Sequence, residues 1–140
     1  MSNLTTEHRN FLLYGTRTGK LATVRKDGRP HVVPIWFDLD GDTLVFTTGH
    51  SSVKAVNIRH DSRVCLCVDD ETPPFSYIQI QGTAVISTDK EALSYWAKRI
   101  AGRYMGEELA ESYGKRNSVE GELLVRIAPA KVVFEKNIAD

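Results

Sequence analysis

Two Asp-Gly pairs, Asp27-Gly28 and Asp40-Gly41, break residues 20–48 into strand-sized pieces. Glycine takes positive φ without steric cost and aspartate bonds its own backbone, so Asp-Gly between apolar runs favours tight reversals. The runs are LATVRK (21–26), HVVPIWFDL (31–39) and DTLVFTT (42–48). They predict a three-stranded antiparallel meander joined by two-residue turns. Pro34 has no N–H to give to a ladder, so the second run is expected at an edge or a bulge.

Strand signals return further on. RVCLCVD (63–69) is apolar, and FSYIQIQGTAVIS (75–87) alternates cleanly, with a bend expected at Gly82. DETPP (70–74) separates them as a loop. ELLVRIA (122–128) and KVVFEK (131–136) read as two strands broken by Pro129. Helical spacing occupies the gaps. Thr5 suits an N-cap for a helix over 6–14 with Phe11, Leu12 and Leu13 buried. Residues 51–60 carry Val53, Val56 and Ile58. Thr88 to Glu91 reads as a capping box with Thr88 at the N-cap, ahead of Ala92, Leu93, Trp96, Ala97 and Ile100. Residues 107–116 form a further helical stretch. Six or seven short, mostly antiparallel strands would hide their edges best by closing into a small barrel. The expected fold is mainly β with short helices, in one domain over residues 1–140. It shows no repeat or linker.

The 18 basic and 18 acidic residues cancel. Nucleic-acid and anionic-membrane binding draw on summed basic charge, so neither is expected; a small local anion site remains open. No apolar run nears the ~18 residues that span a bilayer, and MSNLTTEHRN lacks the layout of a signal peptide, so a cytoplasmic protein is expected. Cys65 and Cys67, two apart on a strand, share one face and read as packing rather than as a disulfide or a metal site.

The stretch FTTGHSSVKAVNIRHDSR (46–63) carries the chemistry. Lys54 falls in the first turn of the helix, where a cation opposes the helix dipole. Two readings stand. In one, a serine caps the helix and the lysine points to solvent. In the other, an anion sits at the helix start, bound by amides, serine hydroxyls and the Lys54 ammonium. Thr47, Thr48 and Gly49 offer a polar strand end beside it. The second strand brings Val33, Pro34, Ile35 and Trp36 alongside, an apolar wall for a planar ring with a phosphorylated tail.

Three stretches carry a family resemblance: GKLATVRKDGRPHVVPIWFDLDGDTLVFTT, SSVKAVNIRHDSRVCLCVDD and FSYIQIQGTAVI, together spanning residues 19–86. The chain resembles the split-barrel flavin-binding superfamily typified by pyridoxamine 5′-phosphate oxidase. Within it, the chain is most similar to the short branch of deazaflavin (coenzyme F420)-dependent oxidoreductases. The resemblance implies a six-stranded antiparallel split barrel, a homodimer with the cofactor at the subunit interface, and hydride transfer between reduced F420 and an unsaturated small-molecule acceptor. It implies a phosphate held by Thr47, Thr48, Ser51, Ser52 and Lys54; Gly49 at the strand end and His50 inside the same segment are candidate contacts read from their place in it. The ring would lie along Val33, Pro34, Ile35 and Trp36, and Phe75 and Tyr77 would reach the partner's cofactor. The same fold serves FMN-dependent oxidoreductases and non-catalytic flavin binders, which stay as alternatives. Two departures matter. Relatives often carry arginine where this chain has Ser52. The chain also closes in KVVFEKNIAD without an arginine-rich segment, which argues against vitamin B6 phosphate oxidation.

No general acid can be named from the sequence. His31 reads either as a site residue or as an ordinary strand residue. His60, Arg59 and Arg63 surround a turn with Asp61. Trp96 reads as core, and Arg103 and Tyr104 fall near a helix end that would rim a cleft.

Overall fold

The computed structural model describes residues 4–140; the part of the N-terminal reading that falls on residues 1–3 lies outside them. The order is α1 (Thr6–Leu13), β1 (Gly19–Val24), β2 (Pro30–Ile35), β3 (Asp38–Asp40), β4 (Thr43–Gly49), α2 (Val53–His60), β5 (Arg63–Asp70), β6 (Ser76–Ser87), α3 (Lys90–Met105), α4 (Glu107–Arg116) and β7 (Glu122–Glu135). All strands join one antiparallel sheet in the order β2-β1-β5-β6-β7-β4-β3.

The meander does not form. β2 pairs with β1, but β4 pairs with β7 and β3, at the far side of the sheet. The run HVVPIWFDL is two strands, because Trp36 and Phe37 leave one edge and deliver Asp38 to the other. Two linking residues allow a Cα separation between Ile35 and Asp38 of at most about 11 Å. The sheet therefore curls until its edges nearly meet. It has seven strands rather than six, and its ladder stays open between β2 and β3. Pro34 sits on β2, an edge strand, where a missing donor is tolerated.

Local chemistry explains the remaining differences. The β1–β2 reversal is a three-residue loop: Gly28 N–H donates to the Arg25 carbonyl, Arg25 N–H to the Arg29 carbonyl, and Gly28 takes φ +90°. Asp89, not Thr88, caps α3, accepting from the amides of Glu91 and Ala92. Pro129 does not break β7; the β6–β7 register shifts between Gln81 and Gly82, so one residue bulges and the strand continues. Phe75 lies outside β6 with φ +64°. Thr5 caps α1 and exchanges bonds with His8 in a capping box, but only Leu12 of the three apolar residues is fully buried. On α2 the buried residues are Ala55, Asn57 and Ile58, while Val53 and Val56 are exposed.

The inner face of the rolled sheet is the main core, with Leu21, Leu66 and Ile80 in register across β1, β5 and β6, and Phe37, Phe46 and Leu44 packed beside them. α3 covers the outer side of β4 and β7 through Leu93, Trp96 and Ile100 on Val45 and Leu124. The outer side of β2, β1, β5 and β6 is left part-exposed. Among the described residues no helix is long and apolar enough to cross a membrane.

Candidate functional site

A small open cavity of about 260 Å³ lies where β2, β4, α2, α3 and β7 converge. Pro34, Ile35 and Trp36 form one wall. Thr47 and Lys54 come from β4 and the first turn of α2. Ile100 of α3, Asn117 beyond α4 and Glu122 of β7 complete it.

The strand-to-helix turn is built from its own side chains. Ser52 caps α2, its Oγ accepting from Ala55 N–H at 3.2 Å and sharing a 2.8 Å hydrogen bond with Thr48 Oγ1. Ser52 N–H donates to the Gly49 carbonyl at 3.1 Å, and His50 N–H to the Gly121 carbonyl at 2.7 Å. The first reading of the turn thus holds for the serine. It fails for the lysine, which is half-buried rather than solvated. Among the described residues the Lys54 ammonium has no hydrogen bond and no ion pair. Burial pulls its pKa below the usual lysine value, and the Glu122 carboxylate pulls it back up.

Glu122 is the residue that sequence reasoning missed. It pairs with Gly49 across the β4–β7 ladder, and its carboxylate lies over that glycine: a Cβ at position 49 would stand 3.2 Å from Glu122 Oε2. Burial raises its pKa, and Lys54, Arg116 and His50 lower it, in that order. The pairing that puts Glu122 opposite Gly49 spans more than seventy residues, so no local pattern announced it. Ile100 shows only helical spacing in the sequence, and Asn117 carries no motif.

The wall at Trp36 is held from behind. Its indole stacks on Tyr104 with centroids 5.1 Å apart and planes 3° from parallel. Tyr104 OH donates to the Arg17 carbonyl at 2.8 Å and accepts from Phe37 N–H at 3.3 Å. The part-buried Arg103 guanidinium donates to the carbonyls of Phe37 (2.6 Å), Leu12 (2.9 Å) and Gly15 (3.2 Å). Burial lowers the pKa of Arg103 and raises that of Tyr104.

Of the expected site residues, Pro34, Ile35, Trp36, Thr47 and Lys54 line this cavity. Thr48, Gly49, His50 and Ser52 shape the turn beneath it. Ser51 instead lines a shallow groove with Arg25, Lys26, Arg29, Val53 and Val56. Val33 lies on β2, opposite Leu21 of β1. Phe75 and Tyr77 belong to the β5–β6 loop and β6, away from the cavity's lining. His31 also lies outside it, its Nδ1 buried without a partner among the described residues. Arg63 pairs with Asp61 at 2.7 Å, holding that carboxyl down to about 2, while Arg59 donates to the His50 carbonyl.

A cation at a strand–helix turn beside a flat apolar wall is a phosphate-and-ring arrangement, and the family model for pyridoxamine 5′-phosphate oxidase matches residues 4–136. The chain belongs to the pyridoxamine 5′-phosphate oxidase family. Within reach of this family member by sequence is an F420H2-dependent biliverdin reductase of Mycobacterium tuberculosis (strain CDC 1551 / Oshkosh). It is 36% identical over 87 residues, 60% of this chain and 61% of the relative, so under two thirds of the relative is spanned. A conserved hypothetical protein from Mycobacterium tuberculosis superposes with TM-score 0.83 at 28% identity, over 98% of this chain and 86% of the other. A structure described as an F420 reductase superposes with TM-score 0.74 at 27% identity, over 92% and 98%.

The residues present fit the phosphate of a flavin-type cofactor. Lys54 is a cation facing the cavity with no ion pair among the described residues, Thr47 offers a hydroxyl, and the clamped Trp36 offers a flat face.

Proposed function

We propose that the protein is a deazaflavin-dependent reductase that uses coenzyme F420 to reduce an unsaturated small-molecule acceptor. The observation that carries this is Lys54: a half-buried ammonium with no hydrogen bond or ion pair among the described residues, facing a cavity walled by Pro34, Ile35 and Trp36. Likeness to an F420H2-dependent biliverdin reductase and to a structure described as an F420 reductase supports the choice of cofactor. Reduced F420, when bound, supplies a hydride.

The chain's own residues bind, orient and screen. Lys54 and Thr47 hold the phosphate. The β2 wall aligns the ring and keeps water off one side of it. The Tyr104–Arg103 clamp fixes Trp36 so that the wall is formed before binding. The cavity is smaller than the roughly 300–1,000 Å³ of a complete small-molecule pocket. A second copy of the chain, with Phe75 and Tyr77 near the join, completes it in this reading. The reaction takes place in the cytoplasm.

The test is a parallel titration of apo-protein with F420 and FMN, following cofactor fluorescence. The expected result is tighter binding of F420 and, with reduced F420, consumption of an unsaturated acceptor. Tighter binding of FMN would favour the second reading, an FMN-dependent oxidoreductase, which Lys54 also serves. Binding without turnover of any acceptor would favour a non-catalytic flavin or deazaflavin carrier. Binding of neither cofactor would remove the function.

A further inference from the structure

The cavity holds one cation and one carboxylate, and neither is bonded. Lys54 enters from α2 and Glu122 from β7. Each acts on the other electrostatically, yet among the described residues their side chains share no ion pair and have no other hydrogen bond. Charged groups facing Glu122 from its other neighbours are Arg116 at the end of α4 and His50 in the turn. Arg116 is exposed, lies over the Tyr113 ring and does not line the cavity. His50 is exposed and does not line the cavity. Ser52 is neutral and spent on capping. Its charged lining is therefore one cation and one carboxylate.

This balance bears on which phosphate the cavity takes. A phosphate monoester carries close to two negative charges above its second ionisation near pH 6. A phosphate diester carries one at any pH above the strongly acidic range. Beside a single Lys54 ammonium, the second charge of a monoester meets the Glu122 carboxylate, with no other cation among the described lining residues to offset it. Repulsion between unit charges across a partly solvated cavity corresponds to about five- to tenfold in affinity.

We propose that Glu122 is a specificity-determining residue that makes the site select phosphodiesters over phosphomonoesters. The inference rests on the function proposed above and deepens it. The F420 phosphate is a diester, joined to the deazaflavin's sugar chain on one side and to an acidic tail on the other. The FMN phosphate is a monoester. A carboxylate beside the cradle thus turns a general phosphate site into one that disfavours FMN by charge alone. Its place over Gly49 is set by the β4–β7 ladder, so the discrimination is built into the sheet.

The experiment uses two ligands that differ only at phosphorus: the 5′-phosphate monoester of F420's deazaflavin, and the methyl diester of that phosphate. Each is titrated into wild type and Glu122→Gln at pH 8, above the second ionisation of the monoester, with deazaflavin fluorescence giving Kd. Wild type is expected to hold the diester at least fivefold more tightly. Glu122→Gln is expected to lose that preference through tighter binding of the monoester, with little change for the diester. Glu122→Ala, checked for folding by thermal melting, should shift the ratio the same way. A ratio unchanged by both substitutions, or a wild type that prefers the monoester, would overturn the role given to Glu122 while leaving the cofactor reading intact. Failure of wild type to bind either ligand would overturn the reading of the site itself.

Discussion

Lys54 stands where a helix least favours a cation, in the first turn and half out of water. Such a placement costs a few tenths to about 1 kcal/mol when nothing compensates. A bound phosphate reverses the sign. Lys54→Ala should weaken F420 by about 1.5–3 kcal/mol, the worth of a charge-assisted contact, seen as a ten- to hundredfold rise in Kd. Unchanged affinity would place the phosphate elsewhere. Glu122 makes a separate, pH-dependent prediction. Its folded pKa is raised, so the folded state binds more protons than the unfolded state as pH rises past the ordinary carboxyl value. Stability therefore falls across that window, up to the folded pKa. Glu122→Gln should flatten this fall in urea midpoints measured from pH 4 to pH 8. A steeper fall in the variant would contradict the burial of the carboxylate. Lys54 was legible at this scale because its conflict with the dipole lies within one turn. Glu122 was not, because its meaning depends on a partner strand.

Local periodicity found nearly every strand and helix, since each is decided within about ten residues. It could not find their neighbours. HVVPIWFDL alternates like one strand, yet Trp36 and Phe37 are the crossing between two edges of the sheet. The cause is remote: Arg103 and Tyr104, some sixty-six residues on, take the Phe37 carbonyl and N–H that a continuous strand would have paired with a neighbour. Tyr104→Phe keeps the ring on Trp36 but leaves the Phe37 amide without its partner and the Arg17 carbonyl with only the longer 3.5 Å bond from Arg103. Unfolding free energy in urea should drop by about 1–3 kcal/mol. A variant as stable as wild type would show that water replaces the hydroxyl. At the β6–β7 bulge the reason for glycine is contact rather than conformation. A Cβ at position 82 would lie 2.3 Å from the Ala128 carbonyl oxygen. Gly82→Ala should cost about 1–3 kcal/mol by overpacking, read from the same denaturation curves.

Among the described residues, one side of the sheet has no cover. Across the outer face of the sheet, Val32, Ala22, Cys65 and Gln81 stand in register, and the next row runs Pro34, Lys20, Cys67, Gln79 and Val133. Most of these are uncharged and part-exposed; burial above all, with Cys67 beside Cys65 and Asp69 beside Cys67, pushes both cysteine thiols above their usual pKa. Pro34 belongs both to this face and to the cavity, so whatever covers the sheet also meets the site. A zero net charge does not oppose self-association. These features support a homodimer in which each cavity is finished by the other subunit. Ala22→Arg tests it, since the side chain points outward from an inner strand of the open face and a new charge there is buried unpaired only if a partner arrives. Wild type should sediment as a dimer, and Ala22→Arg as a folded monomer with unchanged circular dichroism and at least tenfold weaker F420 binding. A monomeric variant that still binds F420 as wild type does would mean that one chain carries the whole site.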